Sequence, residues 1–420
     1  IMIYWADARL DDFGRLFTGS VLSLGWLSVP ITLFSALGVI NAFNLIDGMD
    51  GLGGSIFLVA AAGMALLAGL GGQQQMLSLL LIRLARRTGW RDQPGERKVH
   101  DSATPLTGGP AMLIAFAVLM AGSLPQNRIL QGLAAGGLLL FLTGFIDDRR
   151  HIPAPVRFLL QIVACAIMIT WADVRLDDFG RLFTGSVLWL GWLSVPITLF
   201  SALGVINAFN LIDGMDGLGG SIFLVAAGGM ALTAALAGQQ QMLSLLLVLM
   251  AGVLGFLLLN ARFPWNAKAR LFMGNSGSMM LGFLLAWCFI ALGNDHNEAG
   301  QRAFMPMTAV WLFAVPLLDT TTQIWRRVRA GLSPFEADQQ HLHHAFLRAG
   351  YTTGEAWVSI TLVAAVLGVF GLLLDVGGLP EYWSFWVFLS FAFAYYFYIR
   401  RSWAKQRFLG RDFLYNDPQP

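Results

Sequence analysis

The sequence predicts an all-α fold, a polytopic transmembrane helical bundle. Of its 420 residues, 56% are hydrophobic and only 12% are charged, which is about half the charged share of an ordinary soluble domain. The apolar residues form runs of about 20, the length that a helix needs to cross the hydrocarbon core of a bilayer. Arg and Lys concentrate in alternate loops between these runs. A helix satisfies its own backbone hydrogen bonds, so a lipid bilayer can accommodate such a chain.

From residue 82 onward, the apolar runs predict about ten membrane crossings. They are expected at 107–124, 132–147, 157–172, 187–206, 221–237, 242–260, 277–293, 306–324, 356–374 and 384–400. Basic loops alternate with loops that are poor in Arg and Lys or balance them with acidic residues. The positive-inside rule therefore places the basic loops and the C-terminus in the cytoplasm.

The N-terminal fifth of the chain repeats a later segment. Residues 1–81 are nearly identical to residues 167–247, whereas structural repeats normally diverge in sequence while they keep their shape. After the predicted helix 55–71, only residues 76–82 remain for a return crossing, and they cover about 10 Å of a core of about 30 Å. We expect residues 1–81 to be a non-functional duplication or fusion artefact. Residues 82–420 are expected to form the functional transmembrane domain.

Net charge and cysteine content exclude several classes of protein. The formal net charge is +2, and the basic residues lie in short loops, so no nucleic-acid partner is expected. Cys165 and Cys288 fall inside apolar runs without metal-ligand spacing. They are interpreted as small core residues.

Two acidic groups occur at the ends of predicted helices. Asp147 and Asp148 follow helix 132–147, where they either cap the next helix or belong to a site. The segment 207–220, NAFNLIDGMDGLGG, supplies amide and carboxylate oxygens at three-residue steps through Asn210, Asp213 and Asp216. Such oxygens around a glycine-rich loop suit a hard cation or a nucleotide.

Three further groups carry phosphate-binding chemistry. Residues 274–278 are small and start a helix, so their N–H groups form either an anion cradle or a simple cap. His341, His343 and His344 precede Arg348 in the largest basic loop; this pattern favours phosphate contacts, with zinc as the alternative. Lys98 and His100 precede a Pro/Gly-rich hinge that is expected to face phosphate or gate the substrate.

All five groups fall on the predicted cytoplasmic side. Independent caps and turns would scatter over both faces of the membrane. Hard oxygen ligands surrounded by cationic and amide donors, at the level of the lipid headgroups, indicate Mg²⁺-dependent phosphoryl transfer between a soluble nucleotide and a lipid.

Ordered motifs carry a resemblance to a known family. The segments RKVH with TPLTGG, FIDDRR, NAFNLIDGMDG, FMGNSGS and SPFEADQQHLHH occur in this order between residues 82 and 410. Over that range the chain resembles the bacterial polyprenyl-phosphate N-acetylhexosamine-1-phosphate transferases. The resemblance implies eleven helices, an inner-membrane location with a cytoplasmic active site, and transfer of GlcNAc-1-phosphate from UDP-GlcNAc to undecaprenyl phosphate at the start of O-antigen synthesis. It also implies Mg²⁺, with Mn²⁺ as a substitute, and leaves a homodimer open.

The resemblance assigns roles residue by residue. It implies catalytic and metal-binding roles for the acids Asp147, Asp148, Asp213 and Asp216. It implies substrate contacts for Asn210, Asn260, Phe272, His341, His343, His344, Arg348, Lys98 and His100. Where the family motif MGDxGS has an aspartate near the metal, this chain has Asn275, an amide that can ligate Mg²⁺ but brings no charge.

Three alternatives remain, one of which is that the duplicated chain is an inactive chimera. A related transferase could use another UDP-sugar, such as UDP-MurNAc-pentapeptide or a UDP-FucNAc type; the translocase pattern PxHHH differs from the HLHH found here. A transporter would place acidic residues near the middle of the membrane at broken helices. The acids singled out here lie at helix ends, which favours the enzyme over the transporter.

Overall fold

The computed structural model describes residues 91–92, 104–120, 127–183, 185–262, 266–294, 302–333 and 341–408. The near-identical N-terminal copy lies outside these residues, so its lack of function stays a prediction. Lys98 and His100 also lie outside them.

Within the described residues the fold is a bundle of helices. They are α1 (Gly108–Met120), α2 (Arg128–Asp147), α3 (Ala154–Thr170), α4 (Ser194–Ile212), α5 (Leu218–Leu236), α6 (Gln240–Asn260), α7 (Gly274–Asn294), α8 (Pro306–Leu312), α9 (Ala314–Arg329), α10 (Leu342–Arg348), α11 (Thr353–Val376) and α12 (Glu381–Phe408). A short antiparallel ribbon pairs β1 (Arg91–Asp92) with β2 (Thr104–Pro105). Among these residues, six helical segments are long and apolar enough to cross a membrane. The predicted all-α polytopic membrane fold is confirmed.

Helix α7 forms the centre of the bundle. It packs mainly between α2 and α4, with α1 and α5 alongside, and nearly all of its residues are buried. Such a helix is apolar around its whole circumference, as expected for a central span. Large apolar side chains on outer helices remain exposed, among them Leu159, Leu362, Val366 and Phe393. These outer faces suit contact with lipid.

Helix α4 is displaced from its predicted range. The prediction was 187–206, but Leu188 pairs by backbone hydrogen bonds with Phe179 and Gly180, and its amide donates to the carbonyl of Gly180 at 2.7 Å. The helix begins only at Ser194 and runs to Ile212. As a result Asn210 lies in the last turn of a helix, and the loop between α4 and α5 is shorter than the motif suggested.

The predicted helix 306–324 is broken in two. Phe313 leaves the helical conformation with φ −111° and ψ 17° and separates α8 from α9. Pro316 contributes to the break because it has no N–H to donate to the carbonyl of Leu312. The basic residues of α9, Arg326, Arg327 and Arg329, gather in its last turn.

The end of the bundle away from the sequence motifs is held together by ionic and polar contacts. Arg302 forms a two-pronged ion pair with buried Asp178. Asp375 accepts hydrogen bonds from the hydroxyl of Thr308 at 2.6 Å and from the amide of Met305 at 3.0 Å. The acids at this end are therefore joined to protein donors and serve the fold.

Candidate active site

Three helix ends meet at the opposite end of the bundle. Asn275, in the first turn of α7, donates from Nδ2 to Oδ2 of Asp147 at 3.0 Å. Its Oδ1 accepts a hydrogen bond from Asn210 at 3.2 Å, and Asn210 also donates to Ser278 at 2.6 Å. Asn275 thus links the end of α2 to the end of α4. Residues that are 63 to 128 positions apart in the sequence come together here.

Asp147 is buried and held by three donors. Besides Asn275, Arg157 of α3 donates to Oδ2 at 3.0 Å, and the amide of Ile152 donates to Oδ1 at 2.8 Å. Only 8% of the residue is exposed. These contacts fix the carboxylate and the turn that leads to α3.

Asp148 caps the N-terminus of α7. Its carboxylate accepts from the amides of Asn275 at 2.8 Å and Ser276 at 3.1 Å. Burial raises the pKa of Asp148 from its ordinary value, against the lowering effect of these hydrogen bonds. The prediction of a phosphate cradle is wrong for these two amides, because Asp148 already occupies them. The alternative that the acid pair caps the next helix is also wrong for Asp148, since the helix it caps is α7.

Gly274 has a backbone that permits this close approach. Its φ is +70°, a left-handed conformation that favours glycine. A Cβ built on Gly274 would lie 2.5 Å from a carboxylate oxygen of Asp148. A larger residue would force Asp148 away from the helix end.

The loop after α4 carries two acids that differ in their hydrogen-bond partners. Asp216 accepts from Nε of Arg262 at 2.9 Å and from the amide of Ala269 at 3.3 Å. Asp213 accepts no hydrogen bond from any described residue. Burial raises the pKa of Asp213 well above its ordinary value, and the nearby charges of Asp216 and Asp148 raise it further. Asp213 therefore has no positively charged partner among the residues that the structure describes.

Asn260, at the end of α6, joins two backbone segments. Its Oδ1 accepts from the amide of Gly217 at 2.7 Å, and its Nδ2 donates to the carbonyl of Leu271 at 2.9 Å. The residue is 5% exposed. Its observed role is to hold the loop of Asp213 and Asp216, and the contact with uridine that the resemblance implies stays a prediction.

Phe272 connects the glycine-rich hinge to the site. Its amide donates to the carbonyl of Pro105 at 2.8 Å, and its carbonyl accepts from Gly108 at 2.9 Å. The TPLTGG segment therefore runs beside the start of α7. Stacking of the half-buried Phe272 ring on a base stays a prediction.

The histidine segment, residues 341–348, packs against the loop that carries Asp213 and Asp216. His343 is 2% exposed, and a Cβ on Gly214 would lie 2.7 Å from its Nε2. Burial lowers the pKa of His343 well below its ordinary value, and His344 and His341 lower it further, so the ring is neutral at physiological pH. The ring of His344 lies 4.1 Å from that of His343. Arg348 is exposed in the last turn of α10.

Asp319 of α9 is a site-end residue that the sequence interpretation missed. Its Oδ2 lies 2.8 Å from Nδ1 of His341, and its Oδ1 accepts from the amide of Leu342 at 2.9 Å. The available signal was an acid inside an apolar run, which is costly in a membrane and marks a functional candidate. Arg157 and Arg262, which hold Asp147 and Asp216, were also not singled out as site residues.

The oxygen donors of the site suit Mg²⁺ chemically. Within the described residues, no three His, Cys, Asp or Glu side chains converge into a ready-made metal cage. Mg²⁺ usually takes one or two carboxylates and completes its shell with water and substrate phosphates. Asp213, with like charges nearby and no hydrogen-bond donor, fits such a ligand. Five residues were predicted as metal ligands. Asp147, Asp148, Asp216 and Asn275 already accept hydrogen bonds from the protein. Among the described residues, Asp213 has no such donor.

Comparison with known proteins identifies the family of the chain. Residues 1–89 and 130–293 match the family model described as glycosyl transferase family 4. The chain belongs to this family. The undecaprenyl-phosphate alpha-N-acetylglucosaminyl 1-phosphate transferase of Yersinia pestis is 34% identical over 333 residues, 78% of this chain and 89% of that protein. The proteins of the same name in Escherichia coli (strain K12) and Haemophilus influenzae are 32% and 33% identical, over 78% and 80% of this chain and 89% and 94% of their own.

Family membership and the bundle of apolar helices together define a multi-pass membrane transferase. The polar end of the bundle lies where α2, α4 and α7 meet. It contains the motifs FIDDRR, NAFNLIDGMDG and FMGNSGS. Asn275, in the FMGNSGS segment, links Asp147 to Asn210 at this end.

Proposed function

We propose that the chain transfers a HexNAc-1-phosphate, most simply GlcNAc-1-phosphate, from a UDP-sugar to undecaprenyl phosphate and releases UMP. The observation that carries the proposal is the joining of Asp147, Asn275 and Asn210 beside Asp148 and Asp213 at one end of the bundle. The names of the relatives supply the substrate class. The product would begin synthesis of a surface polysaccharide.

The reaction exchanges one phosphorus–oxygen bond for another. An oxygen of the lipid phosphate attacks the sugar-bearing phosphorus of the UDP-sugar, and the bond from that phosphorus to the UMP oxygen breaks. A phosphate monoester has a second pKa of about 6, so the attacking group is already mostly dianionic. Orientation of the two phosphates matters more than removal of a proton.

The chain's own residues supply that orientation. Asp147, fixed by Arg157, and Asp148, fixed by α7, define the anionic wall of the site. Asp213, with Asp148 or Asp216 nearby, would hold Mg²⁺, or Mn²⁺ in its place. When bound, the ion neutralises phosphate charge. Neutral His343 and the adjacent His344 are proposed to donate hydrogen bonds to phosphate oxygens.

The same proposal fixes the orientation in a bacterial inner membrane. The site end of the bundle carries Arg149 and Arg157, and the last turn of α9 carries three more arginines. The positive-inside rule then places the site and the C-terminus in the cytoplasm, where UDP-sugars are available.

The test is UMP release by membranes that contain the full chain. With undecaprenyl phosphate and Mg²⁺, UDP-GlcNAc should give UMP and a lipid diphosphate, and Asp147→Asn should abolish both. Asp173→Asn is the matched control, because Asp173 is exposed at the other end of the bundle and asparagine tolerates its φ of 55°. Unchanged release by Asp147→Asn would overturn the proposal. A panel with UDP-MurNAc-pentapeptide and a UDP-FucNAc type decides the sugar.

A further inference from the structure

Asp319 lies in α9 and contacts the start of the histidine segment with both carboxylate oxygens. One oxygen is 2.8 Å from Nδ1 of His341, and the other accepts from the amide of Leu342 at 2.9 Å. Asp319 is 2% exposed and His341 is 4% exposed. A buried carboxylate costs free energy unless it is paired. The hydrogen bonds with His341 and Leu342 offset the cost of burying the Asp319 carboxylate, which apolar packing alone would not do.

These contacts determine the hydrogen-bonding state of His341. Oδ1 of Asp319 accepts from an amide, and with Oδ2 as a second acceptor the hydrogen of the pair lies on Nδ1 of the imidazole. Nε2 is left for other contacts. The side chain of His341 does not cap α10 itself, and the Asp319 contact to Leu342 supplies the missing cap.

The restraint passes from His341 to His343. The two rings are parallel, with centroids 6.0 Å apart, and the intervening Leu342 is bonded to Asp319. Nε2 of His343 faces Gly214, while its buried Nδ1 has no hydrogen-bond partner among the described residues. His343 thus lies against the loop that carries Asp213, and its buried Nδ1 is unpartnered among the described residues.

We infer that Asp319 is the positioning residue of the histidine segment: through His341 and the start of α10 it holds His343 over the loop of Asp213 and Asp216. The inference rests on the proposed transfer reaction for its kinetic consequence. Its structural part concerns the protein without substrate. Asp319 acts through the histidines and does not itself contact the phosphates.

The test compares Asp319→Asn, Asp319→Glu and His341→Gln in the purified full chain in detergent. Asp319→Asn should lower kcat by about 10- to 100-fold, the range typical of losing a carboxylate that orients a functional histidine. The KM for the UDP-sugar should change less than about threefold. The variant misaligns the histidines in the bound complex but leaves the affinity for the UDP-sugar largely intact. Asp319→Glu should restore part of the activity because it keeps the charged acceptor.

Hydrogen–deuterium exchange gives a readout that needs no substrate. Amides of residues 341–348 should exchange faster in Asp319→Asn than in the wild type, while the ends of α2 and α7 are unchanged. Asp375→Asn is the control, because Asp375 likewise accepts from one backbone amide and one side chain but lies at the other end. It should leave both kcat and exchange in 341–348 unaltered.

A double variant separates positioning from general damage. Asp319→Asn combined with His341→Gln should be no slower than the slower single variant, since both break the same link. Additive losses, wild-type kcat in Asp319→Asn, or unchanged exchange in 341–348 would each overturn the inference. If the wild type releases no UMP from any UDP-sugar, the proposed function fails, and the exchange comparison still decides whether Asp319 holds the segment.

Discussion

Asp213 differs from the other acids of the chain in what surrounds it. Asp147 and Asp216 each contact an arginine, and Asp148 caps a helix. Asp213 has the charges of Asp216 and Asp148 nearby, which add to burial in raising its pKa. A cation bound during the reaction would relieve that repulsion.

Replacing Asp213 by Asn should stabilise the metal-free protein. Because its pKa is raised, the folded state binds the proton more tightly than the unfolded chain. Its contribution to stability is therefore present at low pH and is lost as pH rises from the ordinary aspartate value of about 3.9 through the raised value. At pH 8 with EDTA, Asp213→Asn should raise Tm by about 1 °C for each kcal/mol gained, because the Tm shift per unit of free energy falls as the chain lengthens.

The same variant should lose UMP release and the Tm increase that Mg²⁺ gives the wild type. Asp173→Asn, exposed at the other end, should match the wild type in all three measurements. A wild-type response of Asp213→Asn to Mg²⁺ would exclude Asp213 as a metal ligand.

Asn275→Asp tests the role of the side-chain amide at position 275. The change removes the N–H that Asn275 gives to Asp147 and places a carboxylate beside two others. Tm in EDTA should fall, and Mg²⁺ should restore it at lower concentrations than in the wild type. Asn275→Ala loses the same donor without adding charge, so it should be destabilised without stronger dependence on Mg²⁺. If both variants respond equally to Mg²⁺, the added charge has no part in metal binding.

At the scale of elements, the site depends on how closely α2 approaches the start of α7. Gly144 faces the backbone of Asn275 and Ser276 so closely that an added Cβ would overlap it. This contact brings the carboxylate of Asp148 within hydrogen-bonding distance of the α7 amides. Helix packing and site geometry are thus set by the same glycine.

Gly144→Ala should separate the two helices. Overpacking of this kind costs about 1–3 kcal/mol, and UMP release should fall more than tenfold because Asp148 loses its place at α7. Gly204→Ala is the control on α4, where an added Cβ meets nothing within 4 Å. Its Tm should be equal to or above that of the wild type, since alanine favours a helix over glycine. Equal thermal stability of the two variants would contradict the packing argument.

At the scale of the whole molecule, the two ends of the bundle use polar residues differently. At one end, Asp178 and Arg302 pair, and Asp375 is bonded to Thr308. At the other end, several carboxylates and three histidines gather beside basic residues. The proposed orientation puts this second end in the cytoplasm.

Thiol labelling in intact cells tests that orientation. The native Cys165 and Cys288 are buried and should not react. A membrane-impermeant maleimide should label Gly185→Cys, where an added side chain has open space, without permeabilisation. His151→Cys, at a side chain that is 92% exposed at the site end, should be labelled only after the inner membrane is opened. The reverse pattern would place the site outside.

The sequence by itself determined the fold class and the residue types of the site. Apolar runs of spanning length fixed the class because a bilayer leaves the backbone few alternatives. The motifs placed Asp147 at the end of a predicted helix, and Asn210, Asp213, Asn275 and the histidines in the segments between predicted helices. Periodicity could not place the start of α4 or the break at Phe313, since the backbone pairing of Leu188 and a proline act through hydrogen bonds that a hydropathy pattern does not register.

Tertiary structure alone decided which groups are partners. Asp148 caps a helix that starts 126 residues later, Asn260 holds the loop of Asp216, and Asp319 reaches His341 from another helix. These contacts depend on how helices pack, and a single sequence carries no record of distance between them. Sequence thus supplied the chemical groups, and packing decided which acids are neutralised by the protein and which one, Asp213, is left for a cation.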